Sequence, residues 1–198
     1  EYAKLHTFKD LHENVAPMVE AMLEQSDRVT GVSGMSKQYT RIYQDAEGFG
    51  ACVHTMRYGL FEGNVTGSKG GQPVAPLMGN IKAYDGGAGD YQMGPLTFML
   101  NYPDHCVLYR FLPKSLTETD VELVWFVRGD AVEGVDYQRE DLIWLWDHTT
   151  KEDEYIILRN NAGVNSRFFE PGPYHPEFEA TLQKFVGWYL HTLEHVTG

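Results

Sequence analysis

Val121, Leu123, Trp125 and Val127 fall on one face of an extended segment, with Glu122 and Arg128 on the other, the period-two pattern of a half-buried strand. Leu96 to Leu100 and Cys106 to Leu112 share this β character, and Pro103-Asp104 and residues 117–120 supply turn chemistry between the runs. Three consecutive antiparallel strands, a meander, are predicted. Elsewhere the period is helical. Met18, Val19, Met22 and Leu23 repeat behind Asn14 and Pro17, which read as cap and first-turn proline, so a short helix is predicted over about 15–25. Thr150 and Asp153 have capping-box spacing and predict a helix from Thr150 to about Asn161, before Gly163. After Pro176, Phe178, Leu182, Phe185 and Tyr189 form one stripe of about three turns, enough to lay a helix across a sheet. Gly63 to Gly94, with Gly70-Gly71, Pro73, Pro76 and Gly86-Gly87, reads as a long loop or irregular hairpin. The sum is an α+β fold in which an antiparallel sheet holds a long C-terminal helix in its concavity, with a pocket between them.

The chain has 198 residues, enough for one domain with its own core, and 42% hydrophobic with 22% charged residues is the balance of a folded chain. Sixteen Lys plus Arg stand against 28 Asp plus Glu, a formal charge of −12, which disfavours nucleic acid and anionic membrane surfaces as partners. Cys52 and Cys106 sit in strand-like stretches without Cys-x-x-Cys spacing and read as reduced core residues. No run of about 18 apolar residues is present to span a bilayer, and residues 1–30 carry no signal-peptide pattern, so a cytoplasmic location is expected. The Asn64-Val65-Thr66 sequon reads as an accident of sequence. The glycine-rich stretch contains no phosphate-cradling motif.

One stretch carries a more specific pattern. Trp144-Leu145-Trp146-Asp147-His148-Thr149-Thr150-Lys151-Glu152-Asp153 leads to Asn160, Gly163-Val164-Asn165-Ser166-Arg167, Pro171-Gly172-Pro173-Tyr174, Phe185 and Trp188-Tyr189. An acid-bearing helix, an amide-x-Gly turn, a Pro-Gly-Pro loop and a Phe-x-x-Trp-Tyr helix in this order resemble the end of the catalytic domain of Rieske-type non-haem iron oxygenase (ring-hydroxylating) α subunits. Thr119 to Val127, with Asp153 and Gly163 to Ser166, is most similar to the subgroup that oxidises N-methylated quaternary ammonium compounds, the glycine betaine and stachydrine demethylases.

The resemblance implies a helix-grip, START-like fold and residues 1–198 as a catalytic mononuclear-iron domain. It places the [2Fe-2S] Rieske domain and both histidine ligands upstream, since Glu1-Tyr2 looks like the pair of residues just after the family's His-x-x-x-x-His-Pro motif. It implies activation of O2 at Fe(II) with electrons from the Rieske cluster and NAD(P)H through a reductase, hydroxylation of an N-methyl group, and a homotrimer of α subunits. Without cluster and histidines, the isolated segment is expected to bind iron weakly and to catalyse nothing. Two rival readings stay open. One is an aromatic ring-hydroxylating dioxygenase; the other is a non-catalytic small-ligand-binding module of the same shape.

Within this frame Asp153 has two readings. Spacing alone makes it a capping-box acid opposite Thr150; the resemblance makes it the carboxylate of a facial triad with two histidines on iron. Asn160, two helical turns on, shares its face and becomes a donor that orients the carboxylate or a metal-bound water, or a plain helix-end polar residue. The family usually has Asn-Gln where this chain has Asn160-Asn161. His191, Glu194 and His195 spell an inverted zinc motif, read here as a surface helix end near the terminus. His6 and His12 do not match the family's histidine spacing, and His54, His105, His148 and His175 are single and read as structural or surface residues. Tyr91, Phe98, Tyr109, Trp125 and Phe126 read as core aromatics, with an aromatic wall for a quaternary ammonium as the alternative.

Overall fold

The computed structural model describes residues 17, 20–21, 24–29, 53–175 and 179–196. Strands β1 (Val53–Gly59), β2 (Gly87–Met93), β3 (Thr97–Asn101), β4 (Cys106–Pro113) and β5 (Thr119–Phe126) pair in chain order as one antiparallel sheet. The predicted meander is β3 to β5. Two further strands extend it, and β2 lies inside the stretch read as long loop or irregular hairpin, where it pairs antiparallel with β1. Its Gly-Ala-Gly start has little intrinsic β preference. Pairing on both sides and burial of Ala88 and Gln92 hold it as a strand instead.

Directly opposed residues of antiparallel strands lie on one face. The register therefore writes two rows on the same side of the sheet. Gln92, Phe98, Tyr109 and Leu123 form one, and Asp90, Leu100, Val107 and Trp125 the next. Tyr91, Met99, Leu108 and Val124 form a row on the opposite side. Val107 is fully buried, so its side of the sheet is the covered one.

The cover comes from a helix that starts earlier than predicted. Residues 24–29 belong to a first helical stretch, α1, and the long penultimate helix, α2, spans Arg139–Val164, 26 residues or about 39 Å. Thr150 is therefore not its cap. The N-cap position is Gln138, which makes no side-chain cap bond, and Glu140 and Asp141 in the first turn suit the positive end of the helix dipole. Leu142, Trp146 and Thr150 recur every four residues and make the stripe that meets the sheet. Leu142 is buried, Trp146 packs on Tyr102 and Tyr109, and Thr150 bonds Tyr109. The last helix, α3 (Ala180–Val196), carries Phe185 against Trp188 and Tyr189, with ring centroids 5.8 and 6.4 Å apart. Phe178 of the predicted stripe, like Met18, Val19, Met22, Leu23 and Cys52, lies outside the described residues. No described helix is long and apolar enough to cross a membrane.

The loop between β1 and β2 is fastened to the turn after β3 by one buried acid. Asp104 accepts from the Thr66 hydroxyl, from His105 Nδ1 at 2.8 Å and from the Val74 N–H at 3.0 Å, and Thr66, Asp104 and His105 are all buried. The Met78 N–H adds a bond to the Pro103 carbonyl at 2.8 Å. Gly67 allows the loop to lie against the Tyr102 ring, since a Cβ there would stand 2.2 Å from a ring carbon. Thr66, the hydroxyl position of the sequon, is thus a core residue. Burial alone would raise the Asp104 carboxyl, but bonds from His105, Thr66 and the Val74 N–H outweigh it and hold the group below its ordinary value.

Two outcomes are expected for Asp104. Asp104→Ala leaves two buried donors and one part-buried donor without an acceptor, and we expect a loss of about 3 kcal/mol in urea unfolding. The folded carboxyl titrates below the unfolded value of about 3.9, so its contribution is complete above that pH and is lost as pH falls through the folded value. The wild-type urea midpoint should therefore drop below about pH 4 more steeply than that of Asp104→Asn.

Candidate functional site

The covered side of the sheet and the α2 stripe make an aromatic patch. Tyr109 stands edge-on to Trp146 at 6.1 Å and beside Phe111 at 6.3 Å, and Phe111 meets Phe98 edge-on at 5.9 Å. Of the five aromatics considered for a cavity wall, the register puts Phe98, Tyr109 and Trp125 on this side and Tyr91 and Phe126 on the other. Spacing within single strands could not make that division, because it depends on how the strands pair.

Tyr109 links the patch to Asp153. Its hydroxyl lies 2.7 Å from Thr150 Oγ1, and Asp153 comes one helical turn after Thr150. Burial pushes the Tyr109 phenol above its ordinary value, the Thr150 hydroxyl draws it down, and the negative charge of Asp153 pushes it up again. Asp153 is thus within electrostatic reach of the phenol. Its own side chain is exposed, as is Asn160 two turns on, so both sit at the rim of the sheet–helix contact and not inside it. Thr150 carries an ambiguous signal: a hydroxyl at the head of an apparent capping box also serves in mid-helix when a tertiary partner takes it, as Tyr109 does here.

Two cavities outlined by described residues lie elsewhere. One of about 420 Å³ is bounded by Glu24, Gln25, Arg28, Phe61, Glu62 and Asn64, among others. Another of about 500 Å³ lies between Pro73, Val74 and Pro76 on one side and Val135, Tyr137 and Asp141 on the other. Neither takes Asp153 or Asn160 into its wall, in contrast to the pocket expected between helix and sheet.

The histidines behave as single residues. His105 is buried against Asp104 and stacks on Tyr102 at 4.8 Å, while His148 and His175 are exposed. His191 and His195 have rings 4.1 Å apart, but both are exposed, and His195 Nδ1 lies 2.7 Å from the His191 carbonyl. Among the described residues, no group of three or more His, Cys, Asp or Glu side chains is placed to hold a metal. These residues alone therefore do not make an iron site.

A profile of the family described as ring hydroxylating alpha subunit (catalytic domain) matches residues 13–195. Over 146 residues, 73% of this chain and 33% of the relative, the sequence is 35% identical to the glycine betaine monooxygenase oxygenase subunit of Chromohalobacter salexigens. The subunits of that name from two strains of Pseudomonas aeruginosa are 35% identical over 142 residues, 71% of this chain and 33% of each relative. The chain spans about a third of the length of these curated relatives.

The Tyr109–Thr150 bond is testable by a double-mutant cycle. Tyr109→Phe and Thr150→Val should each cost about 1 kcal/mol in denaturant unfolding, and the double variant little more than either, a coupling of about 1 kcal/mol. Additive losses would show that the two hydroxyls do not act as a pair.

Proposed function

This chain belongs to the family of ring-hydroxylating alpha-subunit catalytic domains, and from that premise we propose that it is the iron-bearing, substrate-oxidising part of an oxygenase that removes an N-methyl group from a small quaternary ammonium compound such as glycine betaine. The observation that carries the proposal is the family match over residues 13–195 with 35% identity to glycine betaine monooxygenase oxygenase subunits; Asp153, exposed on α2 one turn beyond the Tyr109–Thr150 bond, is the residue this reading gives to the iron.

In this reading Asp153 is one of three protein ligands to a mononuclear iron, and two imidazoles from outside the described residues complete the set. A carboxylate that fills one corner of a facial triad fits its accessibility, because an acid already locked in a buried hydrogen-bond network, as Asp104 is, has no oxygen to spare. Ferrous iron, when bound, supplies the activation of O2. Tyr109 and Thr150 fix α2 on the sheet and so set the position of Asp153, and Asn160 on the same helical face is placed to orient the carboxylate or a water near it. Electrons come from a Rieske cluster fed by NAD(P)H through a reductase, and α subunits assemble as a trimer.

The balance of the reaction is closed by these partners. The quaternary ammonium substrate, O2, two electrons and two protons enter; the hydroxylated methyl group leaves as formaldehyde, the tertiary amine takes a proton, and water is the other product. The aromatic patch suits the substrate, since a cation over ring faces gains about 0.5–2 kcal/mol. The identity shared with glycine betaine monooxygenase subunits supports the same substrate class.

The holoenzyme should release formaldehyde from glycine betaine in step with NAD(P)H consumption and form no cis-diol from an aromatic acid. Diol formation without formaldehyde would replace this reading with ring dioxygenation.

A further inference from the structure

The last helix carries a motif that the oxygenase reading leaves unused. His191 and His195 are four residues apart on α3, so their side chains leave the helix on one face, one turn apart. Their ring centres stand 4.1 Å apart, and both residues are exposed. Exposure keeps the pair out of any water-excluding catalytic centre, but it does not hinder a surface chelate. His195 Nδ1 lies 2.7 Å from the His191 carbonyl oxygen. A carbonyl oxygen only accepts, so in the neutral ring Nδ1 carries the hydrogen and Nε2 keeps its lone pair. A ring nitrogen tied to a carbonyl in this way is the usual support of a metal-binding imidazole.

A divalent ion about 2.0–2.1 Å from each of two imidazole nitrogens needs those nitrogens about 3 Å apart. Exposed rings with centres 4.1 Å apart meet this by side-chain rotation, without movement of the helix. The charge around the pair also favours a cation. Glu194, exposed and three residues after His191, lies on the same arc of the helix. His195 is in the last turn of α3, where the negative end of the helix dipole falls.

We propose that His191 and His195 form a chelating site for a divalent late first-row metal ion, with Cu2+ held most tightly and Ni2+ and Zn2+ behind it. Imidazole suits these ions, and affinity for such ligands rises to a maximum at copper. Two protein ligands leave the remaining positions to water, so the site is open, unlike a four-ligand structural zinc centre. Because both rings are tethered to one helix, the second binds at a high effective concentration, and the pair holds an ion more tightly than either ring does. The pair lies on α3 and Asp153 on α2, and the inference does not depend on the oxygenase reading.

The test adds up to one equivalent of Cu2+ to the oxidised holoenzyme and reads the copper by pulsed electron paramagnetic resonance, in which modulation by the remote ring nitrogens counts the coordinated imidazoles. Affinity is read in the same samples by competition with a chelator of known strength. The proteins are wild type, His191→Gln, His195→Gln and His148→Gln. The last removes another exposed helix histidine whose Nδ1 lies 2.8 Å from a carbonyl, that of Trp144. Wild type and His148→Gln should each show copper with two imidazoles, at equal affinity. His191→Gln and His195→Gln should keep at most one imidazole and bind about tenfold more weakly or worse. All three positions are exposed, so far-ultraviolet circular dichroism should be unchanged throughout. Two imidazoles retained in His191→Gln or His195→Gln, affinities that do not fall in them, an equal loss in His148→Gln, or fewer than two imidazoles in wild type would overturn the site.

Discussion

A single hydrogen bond between two hydroxyls, Tyr109 on β4 and Thr150 on α2, sets the phase of the long helix against the sheet. Once Thr150 faces Tyr109, the helical period places Leu142 and Trp146 behind it on the same stripe and Asp153 one turn ahead. Leu142 and Trp146 then bury apolar surface on the sheet side, and Asp153 comes out at the edge where that packing stops. The position of the carboxylate is thus a consequence of the packing of the stripe. Nothing else among the described contacts holds Asp153 itself.

A second constraint keeps the sheet in shape beneath the helix. Asp104 gathers donors from the loop between β1 and β2 and from its own turn, so a glycine-rich segment with little regular structure is tied to the β3–β4 turn. The same turn carries Tyr102, which lies against Gly67 of that loop and against Trp146 of α2. Loop, sheet and helix therefore meet at one buried point. A polar network with so many apolar neighbours stabilises through its completeness, because each donor would be costly if left alone.

Much of this is legible in the residues. Alternation marks β5, and β3 and β4 show as short apolar and aromatic runs bounded by turn residues, whereas β2 begins Gly-Ala-Gly and becomes a strand through its neighbours. The Thr150 and Asp153 spacing misplaces the start of α2, because it has the form of a cap but here joins a sheet partner and a rim acid within one continuous helix. Asp153 stands out through its resemblance to family pattern, while its exposure depends on where the cover of the sheet ends, which no local pattern encodes. The division of the aromatics between the two sides requires the register.

The central claim is that Asp153 is a ligand to the mononuclear iron. It is tested most directly by electron paramagnetic resonance of the nitric oxide adduct of the ferrous centre, recorded with the signal of the reduced Rieske cluster in holoenzyme carrying Asp153→Ala. The account predicts that the ferrous–nitrosyl signal disappears while the cluster signal keeps its wild-type intensity. A nitrosyl signal of full intensity in that variant would contradict it.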